Sequence, residues 1–306
     1  MKTAVFILVA AALAGCVTQR SEVGNLFAQG SEIIRRDPDK QIAKADAAAA
    51  ARGYTRHQIK AGEFQLVLRR PKLDKAAEIE IALFGDGINF WQSDNSGRRT
   101  YTTPAQNAPD DPGYYFDSAP AGRSIYILER PCFAVTPKTD PKCSDHYWWD
   151  RGRYSEPVLV AVSKAIDEAK AMSGARVVHL IGTSSGGTLA VLVAARRDDI
   201  ASIRTISAAL DTEATFKYQA GKYGAAADFV VDGQNPLQVA EKLSRIPQLH
   251  IRGKRDELIP QQAWEAFRSR AGNCAAILDG ETSHYDADLH DLWRHGFAEP
   301  LKRCLP

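Results

Sequence analysis

The sequence predicts an α/β fold: one doubly wound, mostly parallel sheet with a short helical cap insertion. Three observations predict it. Short apolar runs alternate with helical patterns from about residue 124 onward. One run, 177–181, is apolar at nearly every position, as a strand buried on both faces must be. The chain has 306 residues and is 44% hydrophobic, enough to fill one large core without an internal repeat or a second domain.

Taken in order, residues 17–50 are polar and Ala-rich and read as a tether and surface helix. Residues 63–68 alternate with period two, the pattern of an outer strand, and 79–84 form a second strand ended by Gly85-Asp86-Gly87. Residues 92–123 are dense in Gly, Pro, Asn and Asp and read as a long loop with a short helix near 112–119. A strand at 124–128 follows. Ser155 can cap a helix from Glu156-Pro157 to about Ala171, since Pro is tolerated in a first turn. Then come a strand at 177–181, a helix at 186–197 and a strand at 203–207. A mostly helical excursion over 208–245 could form a small cap. Strands at 247–252 and 275–278 alternate with helices at 261–271 and 286–302.

Charge excludes one class of partner. Lys+Arg total 39 and Asp+Glu 37, a net charge of +2, too balanced for a nucleic-acid footprint.

Five cysteines are an odd set, and the first explains itself. Lys2 precedes eleven apolar residues, 4–14, well short of the roughly 20 that span a bilayer. The stretch Leu13-Ala14-Gly15-Cys16 resembles a bacterial lipobox. That resemblance implies a signal peptide over 1–15, lipidation of Cys16, a tether and helix over 16–52, and the folded domain over 53–306. Membrane attachment would then run through acyl chains at Cys16, on the cell envelope. Val17, where an Asp could stand, implies the outer membrane if there are two.

Export implies a disulfide-permissive compartment for Cys132, Cys143, Cys274 and Cys304. Four cysteines allow three connectivities. Local pairing favours Cys132–Cys143, with Cys274–Cys304 tying down the C-terminus. No Cys-x-x-Cys or His-x-x-x-His spacing points to a metal, and none is expected.

The chemistry sits in Gly182-Thr183-Ser184-Ser185-Gly186, directly after the buried strand and opening a helix. A nucleophile elbow needs that context: Ser184 on a sharp strand-to-helix turn, with Gly182 and Gly186 where side chains would collide. A serine hydroxyl is a weak nucleophile and needs a base, and the base needs an orienting acid. Of seven histidines, His57 precedes the expected sheet, His146 precedes the elbow, His179 and His250 lie inside strands, and His290 and His295 fall on the last helix. His284 alone sits in a polar loop after the final strand. Asp256 and Asp211 each follow a strand and compete as the acid.

With the elbow at 182–187, the turn from Asp256 to Pro260 and the order Ser184, Asp256, His284, the chain over about 54–306 resembles an α/β-hydrolase. It also resembles the exported lipoprotein members of that superfamily. The resemblance implies Ser184 as nucleophile, His284 as base and Asp256 as acid, with Asp211 the rival because some related enzymes place their acid there. It implies oxyanion donors at Ser185 and in the turn Phe84-Gly85-Asp86-Gly87, from Asp86 or Gly87, where common esterases carry His-Gly-Gly. The implied activity is hydrolysis of an acyl bond on a small-molecule substrate, without metal or organic cofactor. A carboxylic ester leads; a peptide or amide, or an envelope lipoprotein that only binds, are the alternatives.

Overall fold

A computed structural model describes residues 36–72, 75–86, 91–93, 99–101, 124–223 and 231–284. The expected signal segment 1–15, Cys16, Gly87, the short helix near 112–119, the final helix 286–302 and Cys304 lie outside the described residues.

Ten strands are described: β1 (Tyr54–Ala61), β2 (Phe64–Pro71), β3 (Glu78–Leu83), β4 (Trp91–Ser93), β5 (Arg99–Tyr101), β6 (Ser124–Leu128), β7 (Val177–Thr183), β8 (Ile200–Ile206), β9 (Gln248–Gly253) and β10 (Ala275–Gly280). Eight form one sheet in the order β1-β2-β6-β3-β7-β8-β9-β10, and β4 and β5 form a separate hairpin within the stretch expected to be loop. Within the eight-stranded sheet the β1–β2 and β2–β6 pairs are antiparallel and the remaining pairs parallel. The connection leaving β3 runs back to β6 on one side, whereas the one leaving β7 runs on to β8 on the other. The carboxyl ends of β3 and β7 therefore flank a switch point, the place where open α/β sheets hold ligands.

The helices are α1 (Pro38–Ala51), α2 (Glu156–Ser173), α3 (Ser184–Ala194), α4 (Thr212–Tyr223), α5 (Pro236–Val239) and α6 (Gln261–Ala271). Residues Val158, Leu159, Val162 and Ile166 of α2 and nearly all of α3 pack against Ile79, Ile81, Leu180 and Ile203 on one sheet face. Among the described residues no helix is long and apolar enough to cross a membrane.

Two expectations need correction. The 63–68 run is an outer antiparallel strand but not the edge: β1, a strand the sequence does not announce, lies outside it, joined by the two-residue loop Gly62-Glu63, with Gly62 at φ 60° as such a turn requires. His57 therefore belongs to the sheet instead of preceding it. Only Ile59 and Ala61 of β1 are buried, too few to print an alternation. The second correction is to α3, which begins at Ser184 itself. Helix α1 does lie on the surface, but Asp46 reaches Arg69 at 2.8 Å and Arg56 at 3.2 Å, fixing it to β1 and β2.

The Cys132–Cys143 bridge is present, and Cys274 is also disulfide-bonded. Trp149 packs in the same cluster as the bridge, while Trp148 stands edge-on to Phe64 at 5.0 Å, so these aromatics serve packing.

Candidate active site

Parallel register decides which loops meet. Leu83 of β3 is aligned with Gly182 of β7, so the turn after β3 emerges beside the elbow. Gly253 of β9 is aligned with Gly280 of β10, so the loops bearing Asp256 and His284 emerge together. The second pair is laced further: Lys254 N donates to Gly280 O at 2.8 Å and Arg255 N to Thr282 O at 2.9 Å. A Cβ on Gly253 would stand 2.3 Å from Thr282 O, so this close approach requires glycine. Lys254 and Arg255 also engage Glu281, through its carboxylate and its carbonyl respectively, and brace the loop.

Ser184 has φ 49°, a left-handed conformation that costs a non-glycine residue of order 1–3 kcal/mol. The elbow glycines are steric necessities. A Cβ on Gly182 would lie 2.5 Å from Gly186 O, and one on Gly186 would lie 2.3 Å from the carbonyls of Leu83 and Phe84. Gly85 faces the nucleophile, since a Cβ there would be 2.9 Å from Ser184 Cβ.

The three candidate residues form one hydrogen-bonded chain. Ser184 Oγ lies 3.1 Å from His284 Nε2, and His284 Nδ1 lies 2.8 Å from Asp256 Oδ2. The other carboxylate oxygen, Asp256 Oδ1, accepts from the N–H groups of Leu258 and Ile259, both at 2.9 Å. A carboxylate only accepts, so Nδ1–H donates to Asp256 and Nε2 is left to accept from Ser184. The Asp256 and His284 side chains are 0% and 3% exposed. Burial alone would push the imidazole pKa down; the facing Asp256 carboxylate, helped by Glu257, outweighs burial and raises it.

The rival acid is elsewhere. Asp211 Oδ1 accepts from Asn235 Nδ2 at 2.8 Å and Ala214 N at 3.2 Å, capping α4. His179 bonds Ser202 at 2.6 Å and Glu78 at 3.1 Å; His250 bonds Thr205 and Gln248, with burial pushing it down to about 3. Both are satisfied strand histidines. His146 lies in the short turn His146–Trp149, and His290 and His295 lie outside the described residues.

For the oxyanion, Ser185 lies in the first turn of α3, where main-chain N–H groups have no partner within the helix. In the β3 turn, Gly85 N already donates to Thr183 Oγ1 at 3.1 Å, so Asp86 N–H is the candidate among the described residues, and Gly87 lies outside them. Among the described residues no group of His, Cys, Asp and Glu could hold a metal ion.

Sequence reasoning missed what surrounds Asp86. Its carboxylate pairs with Arg130 and Arg153, two buried guanidiniums. Arg153 reads in the sequence as solvated surface, with attraction of an anionic substrate as the alternative, and no spacing signal connects it or Arg130 to residue 86.

No family model matches the chain, and no curated protein matches it. Solved structures do. A Pyrococcus furiosus esterase is 12% identical at a TM-score of 0.54, over 80% of this chain and 88% of that one. Est1E from Butyrivibrio proteoclasticus is 17% identical at 0.52, over 79% and 95%. A Pyrococcus horikoshii acylaminoacyl peptidase is 14% identical at 0.55, over 80% of this chain but 39% of that one. With the sheet order and flanking helices, these place the chain in the α/β-hydrolase fold class.

Proposed function

We propose that this chain is a serine hydrolase that cleaves an acyl bond, most simply a carboxylic ester, through Ser184, His284 and Asp256. The observation that carries the proposal is the hydrogen-bonded chain of these three side chains on a strained strand-to-helix turn. A structural cluster would not need a half-buried serine held at φ 49° beside a buried imidazole.

In this reading His284 Nε2 takes the Ser184 proton as Oγ attacks the substrate carbonyl. Asp256 keeps Nδ1–H in place and offsets the charge of the imidazolium. The oxyanion meets the N–H of Ser185 and one N–H of the β3 turn. His284 then protonates the leaving alcohol, leaving Ser184 acylated. A water molecule repeats the sequence, giving the carboxylic acid and free enzyme.

An ester is favoured because the Pyrococcus furiosus esterase is matched over 88% of its own length, whereas the peptidase is matched over 39%. Attachment to the envelope through an acylated Cys16 belongs to the same proposal and rests on the lipobox stretch alone.

A fluorophosphonate probe tests the reading. Labelling lost in Ser184→Ala and much weakened in His284→Ala supports it, while folded wild-type chain that takes no label sinks it. Short-chain nitrophenyl esters against peptide anilides then separate esterase from peptidase. Cys16→Ser should release the chain from membranes; unchanged fractionation refutes the anchor.

A further inference from the structure

Asp86 is an awkward residue for its position. It follows Gly85, which faces Ser184, and its own N–H is a candidate donor to the oxyanion. A carboxylate on the same residue opposes the negative charge that develops there. In the fold both of its oxygens are taken: Oδ1 accepts from Arg130 Nη2 and Oδ2 from Arg153 Nη1.

The two arginines arrive by different routes. Leu83 of β3 is aligned with Leu128 of β6, so Asp86 and Arg130 leave the sheet at the same edge. The Arg130 guanidinium lies 3.8 Å from the Phe133 ring centre. Arg153 precedes α2, and its Nε donates to Asp150 O at 2.6 Å while Nη2 reaches Asp150 Oδ1 at 3.3 Å. Its segment is held in turn from the cap side, where Asp232 N donates to Arg151 O at 2.8 Å and Tyr154 bridges Gly233. Side-chain exposures are 14% for Asp86, 3% for Arg130 and 10% for Arg153. Burial would push the Asp86 carboxyl up, and Arg153 and Arg130 more than offset it, holding it below the usual range.

Buried ion pairs are poor devices for stability alone, because desolvation consumes most of their attraction and apolar replacements do as well. What a two-sided guanidinium grip does supply is a fixed geometry. Resting on the hydrolase reading, we propose that the Asp86 side chain, clamped by Arg130 and Arg153, is a positioning group for acyl transfer. It holds the 84–86 turn with its main-chain N–H toward the oxyanion, while the arginines cancel its charge.

The test uses the full chain, p-nitrophenyl acetate and a fluorophosphonate probe on Asp86→Asn, Arg153→Met, Arg153→Lys and the double variant Asp86→Asn/Arg153→Met. Asp86→Asn keeps the main-chain N–H and the side-chain shape but loses the grip. A displaced donor costs on the order of 10- to 100-fold. Asp86→Asn and Arg153→Met should each lose about that in kcat, with KM within about threefold and phosphonylation slowed in parallel. Arg153→Lys should recover part of the loss, and the double variant should be no worse than the poorer single one. Folded variants that keep kcat within about threefold of wild type, or whose loss falls wholly in KM, overturn the clamp and leave the hydrolase reading standing. Wild-type chain that neither turns over the ester nor takes the probe overturns both. If Asp86→Asn does not fold, the Arg153→Lys and Arg153→Met labelling rates decide.

Discussion

Asp211 accepts a hydrogen bond from Asn235 Nδ2 at 2.8 Å, and the pair ties together two points of the 208–245 excursion 24 residues apart. Asn235 Oδ1 completes the clasp by accepting from Thr212 N at 3.1 Å. One carboxylate therefore clasps Asn235 across this segment while the other, Asp256, holds His284 Nδ1 at 2.8 Å. Asp256→Asn places an amide against Nδ1 and favours the wrong tautomer, so kcat should fall about 10³- to 10⁴-fold. Asp211→Ala removes a helix cap at a cost of about 1–2 kcal/mol, with kcat within about threefold of wild type. Ester turnover and denaturant melts on both variants check this, and the opposite pattern would make Asp211 the acid.

The His284 environment fixes the direction of a pH profile. A base must be neutral to accept the Ser184 proton, and the Asp256 carboxylate raises the imidazole pKa above its ordinary value of about 6.5. The acid limb of kcat/KM should therefore have its midpoint above that value and move down in Asp256→Asn. Stability runs the other way. The folded pKa is the higher one, so the His284–Asp256 contribution is full below about 6.5 and is lost as pH rises through the folded value. Denaturant melts across that window should show wild type losing stability relative to His284→Gln as pH rises. A difference that grows with pH would contradict the pairing.

The sequence carried the alternation from residue 124 onward, because strands buried on both faces leave unbroken apolar runs and their helices keep a helical period. It also carried the elbow, because the steric demand at Gly182 and Gly186 is written as glycine. His284 was legible by its place after the last strand. Illegible were features that depend on neighbours distant in sequence. β1 buries only Ile59 and Ala61, so its pairing with β2 leaves little pattern. The meeting of Asp86, Arg130 and Arg153 follows from the order β6-β3-β7, and no local rule announces a strand order.

Gly186 carries a packing demand that substitution can measure. A methyl group there would stand 2.3 Å from two carbonyl oxygens of the β3 end, backbone atoms that cannot swing aside as a side chain would. Gly186→Ala should cost about 3 kcal/mol or more and take activity with it, since the atoms displaced belong to the turn beside Ser184. Gly221, where a Cβ meets nothing within 4 Å, is the control: Gly221→Ala in α4 should be neutral or stabilising by up to about 1 kcal/mol. Equal melting curves for the two variants would mean that the elbow is looser than its geometry indicates.

Ser184 offers the sharpest separation of activity from stability. Its φ of 49° is one that glycine adopts freely and alanine does not. Both Ser184→Ala and Ser184→Gly remove the nucleophile, so both should lose fluorophosphonate labelling and ester turnover entirely. Their stabilities should differ. Alanine retains the strain while losing the hydroxyl; glycine relieves it, a gain of about 1 kcal/mol at a left-handed position even after its greater freedom in the unfolded chain is counted. For a domain of this size that is about 2–4 °C, so Ser184→Gly should melt that far above Ser184→Ala. An alanine variant that melts at or above the glycine variant would show that the turn stores no strain, and the left-handed serine would then need another explanation.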